Sequence, residues 1–104
     1  METNNAQPLW DRRDRLGIIA EIIEAAQDGQ LKTRIMYMVN LSFSQVNEYL
    51  SFLTERGFLD VHMENGKKFY GASAKGSLYV ENYLEMSNLL RSQKPVRESS
   101  FMMQ

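Results

Sequence analysis

The sequence predicts a mainly α, α+β domain of three short helices, a two-stranded hairpin and a long final helix. Three observations carry that expectation. Apolar residues recur at helical spacing in three stretches before Gly57. The period drops to two between Phe58 and Tyr70, around Asn65-Gly66. Helical spacing then returns after Ser73.

In the first helix, Leu16, Ile19, Ile23 and Ala26 repeat at i, i+3, i+7 and i+10, with Ile22 widening the stripe. Asp11 is the expected N-cap and Asp28-Gly29 the stop, while Leu9 and Trp10 precede the cap as a hydrophobic staple. The second helix fits Lys32–Val39, where Ile35, Met36 and Val39 share a face and Thr33 is a candidate cap. Asn40-Leu41 reads as a turn. Ser42 with Gln45 three residues on then forms a capping box. After it Val46, Tyr49, Leu50 and Leu53 make a strongly amphipathic third helix, stopped by Arg56-Gly57.

The hairpin follows from residue chemistry at its turn. A two-residue loop of the favoured hand needs positive φ at both positions, which Asn and Gly tolerate. Phe58 to Glu64 alternates imperfectly before it and Lys67 to Tyr70 returns after it. The last helix is expected over 75–90. Its Tyr79, Tyr83, Met86 and Leu90 step by four, three and four, a heptad-like seam flanked by Leu78, Val80, Leu84 and Leu89. That is more apolar surface than one small body covers, so self-association through Tyr79, Val80, Tyr83, Met86 and Leu90 is expected, the alternative being a helix folded back on its own core. The resulting division is a flexible N-terminus over 1–10, a core domain over 11–72, a dimerisation helix over 73–92 and a flexible tail over 93–104.

Composition narrows the function. With 104 residues there is room for one core. The absence of cysteine removes disulfides, thiolate metal sites and a thiol nucleophile, and a single His, His62, offers no metal set. No nucleophile–base pair or phosphate-cradling Gly-rich loop is identifiable, so the expectation is a protein that is not an enzyme and needs no cofactor or metal. The polar first ten residues and the short apolar runs fit a cytoplasmic protein with no membrane partner. A net charge of −1 argues against non-specific coating of nucleic acid, though not against cations gathered on one face.

Three helices followed by a hairpin is the winged helix-turn-helix arrangement, in which the third helix fits a major groove and the hairpin reaches adjacent phosphates. The exposed face of the third helix carries Ser44, Gln45, Asn47, Glu48, Ser51 and Thr54. Ser44, Gln45, Asn47 and Ser51 are candidate base readers, since Asn and Gln pair bidentately with adenine; the same residues also suit a merely solvated face. Lys67 and Lys68 follow the hairpin turn, where they either hold phosphate or guard a strand edge. Lys32, Thr33 and Arg34 open the second helix, as phosphate contacts or as a solvated cap. Arg12, Arg13 and Arg15 are interleaved with Asp11 and Asp14, which reads more as a solvated face. Lys32, Arg34, Lys67 and Lys68 sum to about four phosphate contacts per subunit and about eight in a dimer, for a log–log salt slope near about −7.

The strings Lys32-Thr33-Arg34-Ile35-Met36-Tyr37, Asn40-Leu41-Ser42, Tyr49-Leu50 with Leu53, Arg56-Gly57-Phe58-Leu59 and Ala74-Lys75-Gly76 resemble the small archaeal winged-helix DNA-binding proteins, in order and spacing, over about 13–90. The resemblance implies a homodimer joined by its final helix as an antiparallel coiled coil, binding duplex DNA as a transcriptional regulator or chromatin-associated factor. One departure stands out: family members often carry Lys or Arg on the exposed third-helix face, and this chain does not. The leading expectation is therefore a homodimeric, sequence-reading DNA-binding regulator. The alternative is a winged-helix protein–protein interaction module with little or no DNA binding.

Overall fold

The first helix, α1 (Arg15–Ala25), starts where the Asp14 carboxylate accepts a hydrogen bond from the Gly17 amide at 2.8 Å. The structure is a computed structural model, and it describes residues 14–93. Asp11, Leu9, Trp10 and the tail from residue 94 onward lie outside the described residues. The cap therefore sits one turn later than the sequence suggests. Asp14 has the extended backbone of a capping residue, and its side chain lies three residues before the N–H it accepts from.

After α1 come a two-residue strand β1 (Gln30–Leu31), α2 (Lys32–Val39), α3 (Phe43–Glu55), the hairpin strands β2 (Leu59–Glu64) and β3 (Lys67–Ala72), and α4 (Ala74–Arg91). The sheet has three strands in the order β1-β3-β2, all antiparallel neighbours. β1 is the element the sequence does not announce. Two residues are too few to show a period, and β1 exists because Gln30 and Leu31 pair with Tyr70 and Phe69 of the central strand. That pairing ties the start of α2 to the wing. It also displaces Thr33 as a cap: the capping position is Leu31, which has no side-chain bond, and Thr33 lies inside the helix.

Both connections around α3 end in left-handed residues. Asn40 (φ 56°) closes α2 and Gly57 (φ 80°) follows α3. At Gly57 the Phe58 amide donates to the Leu53 carbonyl and the Gly57 amide to the Thr54 carbonyl, a Schellman motif that satisfies the last carbonyls of the helix. At the other end of α3 the capping box forms in full, with Gln45 N–H donating to Ser42 Oγ and Ser42 N–H donating to Gln45 Oε1. The hairpin turn uses Asn65 (φ 53°) and Gly66 (φ 75°) between paired Glu64 and Lys67, as the two-residue loop requires.

The core gathers Ile22 and Ile23 of α1, Ile35 of α2, Val46 and Leu53 of α3 and Leu59 of β2, all nearly inaccessible. Each such aliphatic side chain contributes roughly 1.5–3 kcal/mol on burial. Leu16 is not among them and stands 52 % exposed. On that stretch of α1 the buried positions are Gly17, Ile19 and Ala20. α4 closes over α1 at Gly76, where a Cβ would collide with the Phe58 carbonyl oxygen and press on Ile23 Cγ2 at 3.3 Å.

Candidate nucleic-acid interface

α3 turns Val46, Leu50 and Leu53 inward, which leaves Ser44, Glu48, Ser51 and Glu55 on the ridge opposite the core and Asn47, Ser51 and Thr54 on the flank toward the wing. The ridge carries two carboxylates and no cation. Gln45 and Asn47, expected as two-handed readers, are both already engaged. Gln45 Oε1 accepts from the Ser42 amide at 2.9 Å as the second half of the capping box. Asn47 Oδ1 accepts from Lys32 Nζ at 2.6 Å, across fifteen residues of sequence. The same ammonium lies 5.0 Å from the centre of the Phe43 ring. Thr54 spends its hydroxyl proton on the Leu50 carbonyl at 2.6 Å.

Lys32 is thus half-buried between α2 and α3 and holds Asn47, a candidate reader, where the sequence suggested a phosphate contact. β1 explains its position, because strand pairing sets the first residue of α2 against α3. Thr33 and Arg34, one and two residues on, are exposed.

The two wing lysines also part company. Lys67 faces Glu64 and Lys68 faces Met63 across the hairpin, and adjacent strand residues point to opposite sides. Lys68 shares the α3-facing side with Tyr70, its Nζ 5.6 Å from that ring, while Lys67 lies on the other side beside Glu64. On this second side His62 stacks on Phe69 at 5.5 Å and its Nε2 is 3.6 Å from Glu64 Oε1. No group of three His, Cys, Asp or Glu close enough to hold a metal occurs among the described residues.

Between α3 and the wing lies a cleft of about 320 Å³. Lys32 and Lys68 sit on its two walls, Asn47, Ser51 and Thr54 line the helix side, and Tyr70 and Val61 line the strand side. Tyr70 and Val61 were not legible as site residues, because only the register of the hairpin against α3 brings them there. The cleft is lined by two cations and one carboxylate, Glu55.

The seam of α4 divides. Val80, expected at a dimer interface, is 7 % exposed within the domain's own core and unavailable to a partner. Tyr79 stands edge-on to Phe58 at 5.7 Å and donates its hydroxyl to the Leu16 carbonyl at 2.7 Å. Burial, with the neighbouring Tyr83 and Asp14 charges adding to it, pushes the Tyr79 phenol up to about 12. Tyr83 stacks on Tyr79 at 6.4 Å and is half-buried. From there the helix opens outward: Met86, Leu89 and Leu90 are each more than half exposed. The helix predicted to serve dimerisation therefore packs on the same body as α1–α3 as far as the buried Ser87.

A buried three-helix core, a polar α3 and a cation-bearing three-stranded wing define a winged helix. The chain belongs to the winged helix-turn-helix family, whose model matches residues 12–91. Two uncharacterised proteins of Methanocaldococcus jannaschii are similar to it. One is 35 % identical over 68 residues, which cover 59 % of this chain and 70 % of that protein. The other is 32 % identical over 84 residues, 80 % of this chain and 38 % of the larger relative. Among solved structures, Sso10a-2, a DNA-binding protein from Sulfolobus solfataricus, aligns with a TM-score of 0.68 over 88 % of both chains at 23 % identity. The MepR–DNA complex of Staphylococcus aureus aligns with a TM-score of 0.59 at 20 % identity, over 88 % of this chain and 70 % of that one. At these identities the likeness is one of fold. No helix among the described residues is long and apolar enough to cross a membrane.

Proposed function

We propose that this chain is a non-enzymatic, homodimeric protein that binds duplex DNA and reads its sequence as a transcriptional regulator. The observation that carries the reading is the cleft between α3 and the wing, lined mostly by polar side chains and bearing an ammonium on each wall. α3 enters the major groove with Ser44, Gln45, Asn47 and Ser51 toward base edges, and the backbone of one strand passes beside Lys68. Arg34, Lys67 and Lys68 supply the exposed charge, with Thr33 beside them as a neutral phosphate donor. Similarity to proteins described as DNA-binding or DNA-bound supports the same reading. The outer half of α4, with Met86 and Leu90 beyond Tyr83, supplies the two-fold contact, since an exposed apolar ridge on a helix favours association.

Salt-titrated anisotropy on a mixed-sequence duplex tests the proposal. With Lys32 withheld, about three contacts per subunit and about six per dimer give a log–log slope near about −5. Absence of binding at low salt, or binding indifferent to salt, would overturn it. A protein-docking role is favoured instead by Glu48 and Glu55 on the α3 ridge and by the exposed rings of Tyr37 and Phe43, and a null result on DNA would support that role.

A further inference from the structure

The face of α3 opposite the core is centred on Glu48. That residue stands two positions from both Val46 and Leu50, hence about 200° around the helix from each buried side chain. Ser44 and Ser51 flank it on the exposed ridge. Gln45, Asn47 and Thr54 each hold a neighbour, whereas no hydrogen bond or ion pair joins the Glu48 carboxylate to another described residue.

An ionised carboxylate accepts hydrogen bonds and donates none. In a major groove it therefore discriminates by rejection as much as by attraction. Guanine presents N7 and O6, both acceptors, and thymine presents O4 and a methyl group, so neither answers a carboxylate. Adenine offers its N6 amino group, but the acceptor N7 lies beside it and meets the second oxygen. Cytosine offers its N4 amino group with no acceptor of its own beside it in that groove. Resting on the DNA-binding reading above, we propose that Glu48 is the specificity-determining residue of α3: its carboxylate accepts from cytosine N4 and disfavours the other three bases. The lack of a cation on the ridge sharpens the choice, since nothing there offsets the carboxylate against the phosphates on either side. Glu55, the second carboxylate of the ridge, lies about two turns further on and lines the cleft beside the wing. Base edges are met from the N-terminal part of a recognition helix, so Glu55 repels without reading.

The test is selection by the full chain from a duplex library with a randomised core, run at one salt concentration on wild type, Glu48→Ala, Glu48→Gln and Glu55→Gln. Wild type should enrich cytosine at one position per half-site, and thymine in its place should weaken binding about tenfold. Glu48→Ala should lose that preference and bind duplexes with guanine or thymine there more tightly than wild type does, which a merely structural role would not produce. Glu48→Gln, which donates as well as accepts, should move the position toward adenine. Glu55→Gln should tighten every duplex alike and keep cytosine. A wild type with no cytosine position that responds to Glu48→Ala, or a Glu48→Ala that tightens all duplexes equally, would overturn the inference while DNA binding stands. Failure of wild type to retain any duplex would overturn the DNA-binding reading itself. Both carboxylates are exposed, so all four chains should melt together; should a variant not, the cytosine-to-thymine exchange measured on wild type decides.

Discussion

The α1–α4 side of the domain and the α3–wing side are built to opposite specifications. On the first, helices approach so closely that Gly76 has no room for a Cβ against the Phe58 carbonyl, and the Tyr79 hydroxyl reaches the Leu16 carbonyl directly. On the second, a cleft of about 320 Å³ stays open between walls that each carry a lysine. Stability is concentrated where the chain has closed on itself, and the proposed recognition surface lies where it has not. Substitutions on the two sides should therefore separate into those that alter melting and those that alter binding.

Gly76→Ala should be the most severe. Its methyl group meets backbone, which cannot swing aside, so overpacking of about 1–3 kcal/mol is expected in a denaturant melt. DNA affinity, scaled to the folded fraction, should be unchanged. Tyr79→Phe comes next, losing one hydrogen bond worth about 1 kcal/mol. It also carries a pH signature. The folded phenol titrates at about 12 against 10.0 when unperturbed, so the unfolded chain loses its proton first and stability falls as pH rises through that window. The stability difference between wild type and Tyr79→Phe should be flat below pH 10 and shrink from there toward pH 12. Leu90→Glu, on the exposed outer half of α4, should leave the melt of the monomeric unit within about 0.5 kcal/mol. Sedimentation should nevertheless show the dimer replaced by monomer; an unchanged dimer would move the interface elsewhere.

A different contrast governs what the sequence disclosed. The parts that rest on local chemistry were legible. The Ser42–Gln45 capping box, the Gly57 stop, the bounds of α2 and the Asn65-Gly66 turn are all written within a few residues of one another. What escaped depends on distant partners. β1 exists only through Tyr70 and Phe69, and the Lys32–Asn47 bond only because β1 sets the start of α2. Val80 reads as seam from its spacing and as core once α4 lies on α1. The wing lysines, a pair in sequence, are divided by the pleat into one that faces α3 and one that faces Glu64. Residue types on the candidate interface were thus visible early, while their division of labour was not.

That division is the central claim: the wing supplies attraction and α3 supplies discrimination. Parallel salt titrations of Lys68→Ala and Asn47→Ala on a panel of duplexes test it most directly. Lys68→Ala should flatten the log–log slope by about one unit per lost contact, about two per dimer, and weaken every duplex alike. Asn47→Ala should reorder the duplexes with a slope no shallower than wild type. Equal flattening by both variants, or reordering by Lys68→Ala, would contradict it.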